Sequence, residues 1–599
     1  MAPAGVMVRR VIWVPPKFTS LMTLNFRQGG LAVALASACA TSILVLTPFA
    51  IWFGNRAEFS SDFIDIVRLV APAAFVIAGV FGLLGLVLPI SVGARVVGVL
   101  SALTVALWLQ ANIMNWHYGS LDGKLIDWSA HLSNGYVDTG VWLVLIGCAL
   151  LAPQRMLLRL AQFAIAVWLL QVVVLSFTYL NLDNTSRAEK VALNTQAAAT
   201  FSRHGNVLHI VADGFQSDIF GYLLKEKEGE FRETLSGFTF FSDHLTSYPY
   251  TQMTLPAILS GENYRNHKPI TEFNRETLGG KNILQHARKN GYDVQLVVPD
   301  GGLSAAYANV ADAPTFTVTT RLHLPQRTFN TVEGIQLIDL SLFRSVPHFA
   351  KPYIYNRQSW LLSQSMDDAN AQRFYFFSHK RAVELMSEGL KVDDGNPRYK
   401  YVHLLLSHAP FVANFDCEYR GAPVGAVLEA VMDQSRCTLE TFTELFDAMK
   451  AAGVYDNTTI VLMSDHGAWI PPQPPFTLPH PLDDKLIINP KYFGLARALL
   501  AVKPPGASGP LNVSHAPSAI EDTPNTVASL LGMPQIFGSG VSVFDLSESQ
   551  ARTRHFYLYE YAVRNWFEDG YLEPMMRFSV NGKSNQKSSW SYDQLFSPP

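Results

Sequence analysis

Hydrophobic positions are spread unevenly along the chain. The first third carries long unbroken apolar runs, roughly Gly30–Phe53, Leu69–Ile90, Val96–Met114, Tyr136–Ala152 and Met156–Leu180. A helix crossing the hydrocarbon core needs about 20 mostly apolar residues, so five membrane helices are predicted. The fourth has the shortest clean run, "GVWLVLIGCALLA", and its alternative is a re-entrant or strongly buried helix. Beyond Gly205 the pattern changes to short β-branched runs ending in polar residues: "NVLHIVAD", "DVQLVVPD", "YVHLLLSH" and "TIVLMSDHG". Continuous apolar strands predict a sheet buried on both faces. Between the last two, Leu439, Phe442, Leu445 and Met449 recur at helical spacing, and Gly453 supplies a stop. Strand and helix in alternation predict a doubly wound, mostly parallel sheet. Near the end, "SVNGKSNQKSSWSY" carries an Asn-Gly turn and predicts a hairpin or small subdomain. The expected organisation is an α/β chain in three parts: five transmembrane helices over 1–182, an amphipathic connector along the membrane surface over 183–205, and an outer domain over 206–599.

Composition agrees with a chain partly out of water. Of 599 residues, 49% are hydrophobic and 16% charged, against about a quarter charged in soluble domains. A net charge of -3 gives no reason to expect a nucleic-acid partner. Arg9, Arg10, Lys17, Arg27, Arg95, Arg155 and Arg159 fall on one side of the five spans. The other side has Arg56, Arg68 and Lys124 among Glu58, Asp62, Asp65, Asp122 and Asp127. Basic loops stay cytoplasmic, so the N-terminus is expected inside and everything after Leu180 outside. No short apolar core with a small-residue cleavage site precedes the first span, which is expected to be an uncleaved anchor. Cys39 and Cys148 lie in the spans, and Cys417 and Cys437 are the only outer pair. Oxidation is possible there, so a bridge is expected, the alternative being two independent buried thiols.

Ligands of doubly wound sheets collect at the carboxyl ends of the strands. Asp213, His408, Asp465 and His466 each follow an apolar strand and would converge on one edge. A lone acid after a strand is commonly a helix cap. Taken together these residues form a mixed oxygen and nitrogen set that suits zinc or manganese better than magnesium or calcium.

The segments "NVLHIVADGFQSDIF", "TQMTLPAILSG", "HLLLSHAPF", "GVYDNTTIVLMSDHG" and "EDTPNTVASLLG" together resemble the alkaline phosphatase superfamily. More closely they are similar to its membrane-anchored, sulfatase-like branch, which contains phosphoethanolamine transferases and phosphoglycerol (lipoteichoic-acid-type) synthases. The resemblance runs from Asn206 to about Pro534 and is not traced beyond about Gly538. It implies an alkaline-phosphatase-like α/β/α sandwich. In this superfamily a small hydroxyl residue and a glycine follow the nucleophile by nine and ten residues. Ser260 and Gly261 point back to Thr251, with Thr254 as a structural hydroxyl capping the following helix. The resemblance further implies one divalent metal, zinc or manganese, held by Asp213, Thr251, Asp465 and His466. It implies that His408 binds the substrate phosphate or protonates the leaving group, with His480 as a further substrate-side candidate. His244 and His515 are expected to be structural. Thr251 cannot become the formylglycine of true sulfatases, and Gly214 replaces a second acid after Asp213.

The expected function is metal-dependent transfer of a phospholipid-derived head group, phosphoethanolamine or phosphoglycerol, to an envelope glycan or lipid-sugar acceptor through a phospho-threonine. The expected location is the bacterial inner membrane, with the catalytic domain periplasmic. The alternatives are a membrane-bound phosphodiesterase or phosphatase, a sulfatase-type hydrolase, and a non-catalytic envelope scaffold.

Overall fold

The structure is a computed structural model. It describes residues 16–599 apart from 56–58, 60, 119–125, 182–193, 227–229, 301–305, 308–309, 311–312, 320–321, 323–325, 357–358, 365–373 and 562–569. Arg9, Arg10, Arg56, Glu58, Asp122 and Lys124, used above for orientation, lie outside the described residues. The chain divides into two compact units. One comprises Met1–Ser186 with Pro325–Asp368, the other Arg187–Leu324 with Ala369–Pro599.

The first unit holds the five expected helices. Helix α1 (Pro16–Thr41) continues through a π turn, Ser42–Leu46, into Thr47–Gly54. It is followed by α2 (Phe63–Val87), α3 (Ile90–Asn112), α4 (Leu132–Leu151) and α5 (Gln154–Leu180). All five are long and apolar enough to cross a membrane, and with its preceding turn the fourth spans Trp128–Leu151. The expected boundaries need two corrections. Residues 325–368, expected in the outer domain, belong to this unit, because the Gln326–Ser345 helix packs on α2, α3 and the end of α1. Residues 183–193 of the connector lie outside the described residues, and the rest is not a separate element. Its described part falls in the second unit, where Thr200–Ser202 pairs in parallel with Lys391–Asp393.

The second unit is built on an eight-stranded sheet. Its strands are β1 (Asn206–Ala212), β2 (Thr239–Phe241), β3 (Asp293–Pro299), β4 (Thr315–Val318), β5 (Arg398–Leu404), β6 (Thr458–Met463), β7 (Leu500–Lys503) and β8 (Asn512–Ser514). The spatial order is β8-β2-β7-β6-β1-β5-β3-β4. Only β7 runs against the others. Central β1 is buried at every position, which a strand can tolerate only when both faces are covered. Its residues alternate between two cores. Leu208, Ile210 and Ala212 join the layer containing Leu439, Phe442, Leu445 and Met449 of the long helix Leu428–Ala451. Val207 and Val211 join the opposite layer with Leu255, Ile258 and Leu259. Burying each such large side chain contributes about 1.5–3 kcal/mol. The expected terminal hairpin is present as the last two strands of an antiparallel meander, β9 (Thr553–Leu558), β10 (Met575–Asn581) and β11 (Trp590–Phe596).

Burial pushes three fully buried histidines down to about 3: His209, His244 and His379. His209 is held by the Tyr399 hydroxyl at 2.9 Å and His244 by Ser518 at 3.0 Å, consistent with a structural role for His244. These rings stay neutral in the folded protein, whereas the unfolded chain protonates them near pH 6.5. The unfolded state therefore takes up more protons, and stability falls as pH drops through 6.5, the slope rising toward about 1.4 kcal/mol per pH unit for each ring well below that pH. Urea unfolding at pH 6.5 and 5.5 is expected to show a loss of about 3 kcal/mol, because the unfolded rings are already half protonated at pH 6.5. In His244→Gln the loss is expected to be about one third smaller.

Candidate active site

Four loops bring the chemistry to the carboxyl edge of the sheet. Asp213 leaves the end of β1, its N–H donating to Leu404 O of neighbouring β5 at 3.0 Å. Asp465 and His466 follow β6 after Ser464. The Ser464 hydroxyl donates to Phe215 O at 2.7 Å and accepts from Leu499 N–H at 2.8 Å, which fixes the turn. Thr251 is the first residue of α6 (Thr251–Ser260), a helix buried along its whole length. Tyr250 in front of it provides no side-chain cap, and the positive end of the helix dipole faces the site. The Ser-Gly pair closes the other end. Ser260 donates to Pro256 O at 2.7 Å, and Gly261 takes the left-handed conformation at φ 73° that ends helices. Thr254 does not cap a following helix as expected. It lies inside α6 and donates to Thr251 O at 3.0 Å.

The structure brings Asp213, Thr251, Asp465 and His466 together. Thr251 Oγ1 lies 3.4 Å from Asp213 Oδ2 and 3.4 Å from His466 Nε2. His466 Nε2 is 3.6 Å from Asp213 Oδ1 and 3.4 Å from Asp465 Oδ2. Asp465 Oδ1 accepts from Gly214 N–H at 3.2 Å. Asp213 Oδ1 and Asp465 Oδ2 are buried with no hydrogen-bond partner. The His466 Nδ1–H donates to Gly467 O at 2.8 Å, which leaves the Nε2 lone pair facing those two oxygens. Buried acceptors aimed at one another are costly unless a cation lies between them. A tetrahedral shell with bonds of about 2.1 Å has edges of about 3.4 Å, the spacing these donors show. The residues therefore fit a divalent ion, and the oxygen and nitrogen mixture suits zinc or manganese.

Electrostatics favour the charged forms. Burial pushes Asp213 up, but the charge of His408, the His403 hydrogen bond and the His466 ring outweigh it and hold the carboxyl below its usual range. Burial pushes His466 down, but Asp465 and Asp213, with the bond to Gly467, raise it above the usual imidazole range.

His408 stands beside this cluster and is exposed. Its ring centre is 6.2 Å from that of His466, and a ring nitrogen can share a ligand position with Asp213 and His466. Its Nδ1–H donates to Ala409 O at 2.6 Å, so Nε2 is the working atom. The loop is tied to α7 (Leu428–Ala451). Gln434 donates to His408 O at 3.0 Å and accepts from Val412 N–H at 2.8 Å and Ala413 N–H at 3.3 Å. Cys417 and Cys437 are joined in a disulfide with a Cα–Cα distance of 5.4 Å, which fastens the same segment one turn further along α7. Gln434→Ala removes the buried clamp, and displacing a catalytic group by about 1 Å costs up to about 100-fold in rate. Steady-state assays are expected to show that fall in kcat, while the metal content stays that of the unaltered protein.

His480 is not part of the cluster. It ends a two-residue strand, Pro479–His480, and its Nδ1 accepts from Leu482 N–H at 3.3 Å. His515 is held by the Ser242 hydroxyl at 2.6 Å. Sequence reasoning missed His403. This fully buried residue of β5 places Nε2 3.3 Å from Asp213 Oδ2 and Nδ1 2.6 Å from the Tyr307 hydroxyl. The signal was a histidine at an inward position of the otherwise apolar run "YVHLLLSH".

Three solved structures illustrate what the chain is similar to. Ps i-CgsB in complex with k-i-k-neocarrahexaose matches at 13% identity over 66% of this chain and 86% of its own, with a TM-score of 0.39. The lipoteichoic acid synthase LtaP from Listeria monocytogenes matches at 12% over 68% and 92%, TM-score 0.33. The phosphonate monoester hydrolase of Agrobacterium radiobacter matches at 13% over 66% and 89%, TM-score 0.38. No curated protein matches. The family model described as Sulfatase matches residues 205–596. That range contains the whole eight-stranded sheet and every residue of the cluster, and it reaches past Pro534 through the terminal meander. The chain thus belongs to the sulfatase family, within the alkaline phosphatase superfamily of metal-dependent hydrolases and transferases.

Proposed function

We propose that the protein transfers a phospholipid-derived head group, phosphoethanolamine or phosphoglycerol, to an envelope glycan or lipid-sugar hydroxyl through a phospho-threonine at Thr251. The observation that carries this reading is the placement of the Thr251 hydroxyl, 3.4 Å from both Asp213 and His466, at the uncapped start of α6. A divalent ion held by Asp213, Thr251, Asp465 and His466 would lower the hydroxyl's pKa and offset charge on the phosphoryl oxygens. With its hydroxyl proton already lost to solvent, Thr251 Oγ1 attacks phosphorus as the alkoxide, the bond from phosphorus to the diacylglycerol oxygen breaks, and protonated His408 supplies the proton that the departing oxygen needs. The positive end of the α6 dipole favours the phosphoryl oxygens. In the second half the acceptor hydroxyl gives its proton to His408 and attacks the phospho-threonine, which restores Thr251. Two displacements of this kind give ping-pong kinetics.

The membrane is part of the reading. Lys17, Arg27, Arg95, Arg155 and Arg159 flank one end of the helices, and Asp62, Asp65, Arg68 and Asp127 the other. This charge pattern supports a multi-pass protein of the bacterial inner membrane with a cytoplasmic N-terminus and a periplasmic catalytic unit. Tethering raises the local concentration of a lipid donor. The test is incubation of the protein in vesicles with head-group-labelled phosphatidylethanolamine and phosphatidylglycerol, with and without envelope glycan. Label retained on Thr251 and passed to the glycan supports the proposal. Water-soluble label released at the same rate without glycan indicates a hydrolase instead.

A further inference from the structure

The segment that follows the Gln326–Ser345 helix has the inverse of a water-facing polarity. The helix that leads into it is fixed to the bundle by polar contacts of its own. Ser341 donates to Ile43 O at 2.6 Å, Arg344 Nε to Ala111 O at 2.8 Å, and Ser61 N–H to Glu333 Oε2 at 2.7 Å. Ile43 lies in the π turn that carries α1 toward its C-terminal end, Ala111 lies near the end of α3, and Ser61 precedes α2, so the segment sits at the end of the bundle away from Arg95, Arg155 and Arg159. Next come two short helical turns, His348–Ala350 and Lys351–Ile354. Their inward side is polar. Asp138 of α4 accepts from His348 N–H at 3.0 Å, and the Tyr118 hydroxyl meets His348 Nδ1 at 3.0 Å. Lys351, 1% exposed, donates to Phe343 O and lies 4.8 Å from the Phe343 ring centre. The fit against α4 is close, since a Cβ on Gly135 would come within 2.6 Å of the His348 ring.

The outward side is apolar. Phe349 is 44% and Tyr353 80% exposed, and as residues four apart they share a face. Leu361 and Leu362 are exposed as well, and Leu361 N–H donates to Ile354 O at 2.9 Å, which sets them beside Tyr353. This patch is continuous with the outer face of α4. The Phe349 ring centre is 6.1 Å from that of exposed Tyr136, and Val137, Leu143 and Val144 beyond it are exposed too. A water-facing segment would turn Lys351 out and Phe349 in. Aromatic residues beside an apolar, lipid-facing helix mark the headgroup layer.

We infer that Phe349, Tyr353, Leu361 and Leu362 insert into the phospholipid headgroup layer, so that the turns His348–Ala350 and Lys351–Ile354 with Leu361 and Leu362 form a second membrane attachment of the chain besides the five helices. This rests on reading those helices as membrane spans. The test uses the full chain in phospholipid nanodiscs, with a nitroxide on Tyr353→Cys in a Cys39→Ala, Cys148→Ala background and the Cys417–Cys437 disulfide kept. A second preparation carries the nitroxide on native Cys148, exposed on α4, in a Cys39→Ala background. The inference expects collisions with oxygen to exceed those with the water-soluble NiEDDA at both positions. NiEDDA exceeding oxygen at residue 353 while Cys148 remains oxygen-rich would overturn it and leave the spans intact. Low access to both reagents at residue 353 would also overturn it, by showing a protein surface there. NiEDDA dominating at Cys148 would overturn it together with the reading of the spans.

Discussion

Thr251→Ala is expected to reduce head-group transfer by at least about 1,000-fold, as removal of a nucleophile does, while the fold survives. The hydroxyl makes only two long contacts, at 3.4 Å, so its loss should cost about 1 kcal/mol of stability or less. Thr254 cannot take over, because its hydroxyl is fully buried and already donates to Thr251 O. Three variants therefore separate the roles. Thr251→Ala should be inactive and carry no phospho-adduct by mass spectrometry. Thr251→Ser should retain measurable transfer and carry the adduct on the new hydroxyl. Thr254→Ala should keep the activity and lose about 1 kcal/mol of helix stability. Full transfer by Thr251→Ala would sink the proposed chemistry.

What could be read in advance followed from how local each signal was. The strand ends were legible because "NVLHIVAD" and "TIVLMSDHG" put an acid directly after a buried run, and pairing across β1, β5 and β6 then brings those ends together whatever the loops do. Thr251 was legible only through the superfamily resemblance, which counts back from Ser260 and Gly261 to it; the structure shows that interval as α6. Two things were hidden, both for want of a periodic signature. His403 and Tyr307 meet through side chains nearly a hundred positions apart, and the apolar strand pattern gave no reason to pair them. The assignment of 325–368 to the first unit was hidden because "FNTVEGIQLIDLSLFRS" is an ordinary amphipathic pattern. An apolar stripe says that a helix buries one face, not against what.

Asp465→Asn should remove the metal and the activity together, yet stabilise the metal-free protein. Asn at this position keeps the bond from Gly214 N–H to Oδ1, but it places an N–H pair where Asp465 Oδ2 now stands without a partner, 3.4 Å from His466 Nε2. That amide donates to the ring and leaves no anionic oxygen for a cation. Elemental analysis should find little metal in the variant, and transfer should fall by at least about 1,000-fold. Chelation should lower the melting temperature of the unaltered protein, because a ligand that binds only the folded state stabilises it in proportion to RT ln(1 + [L]/Kd). The same treatment should leave Asp465→Asn unmoved. Between the two metal-free proteins the order should reverse. At a pH above the raised range of His466, where its ring is neutral, the unaltered one holds two partnerless carboxylate oxygens against a lone pair, and replacing one of them by a donor recovers about 1–3 kcal/mol. If both metal-free proteins melt at the same temperature, Asp465 Oδ2 is already satisfied and the cradle described for the ion does not exist.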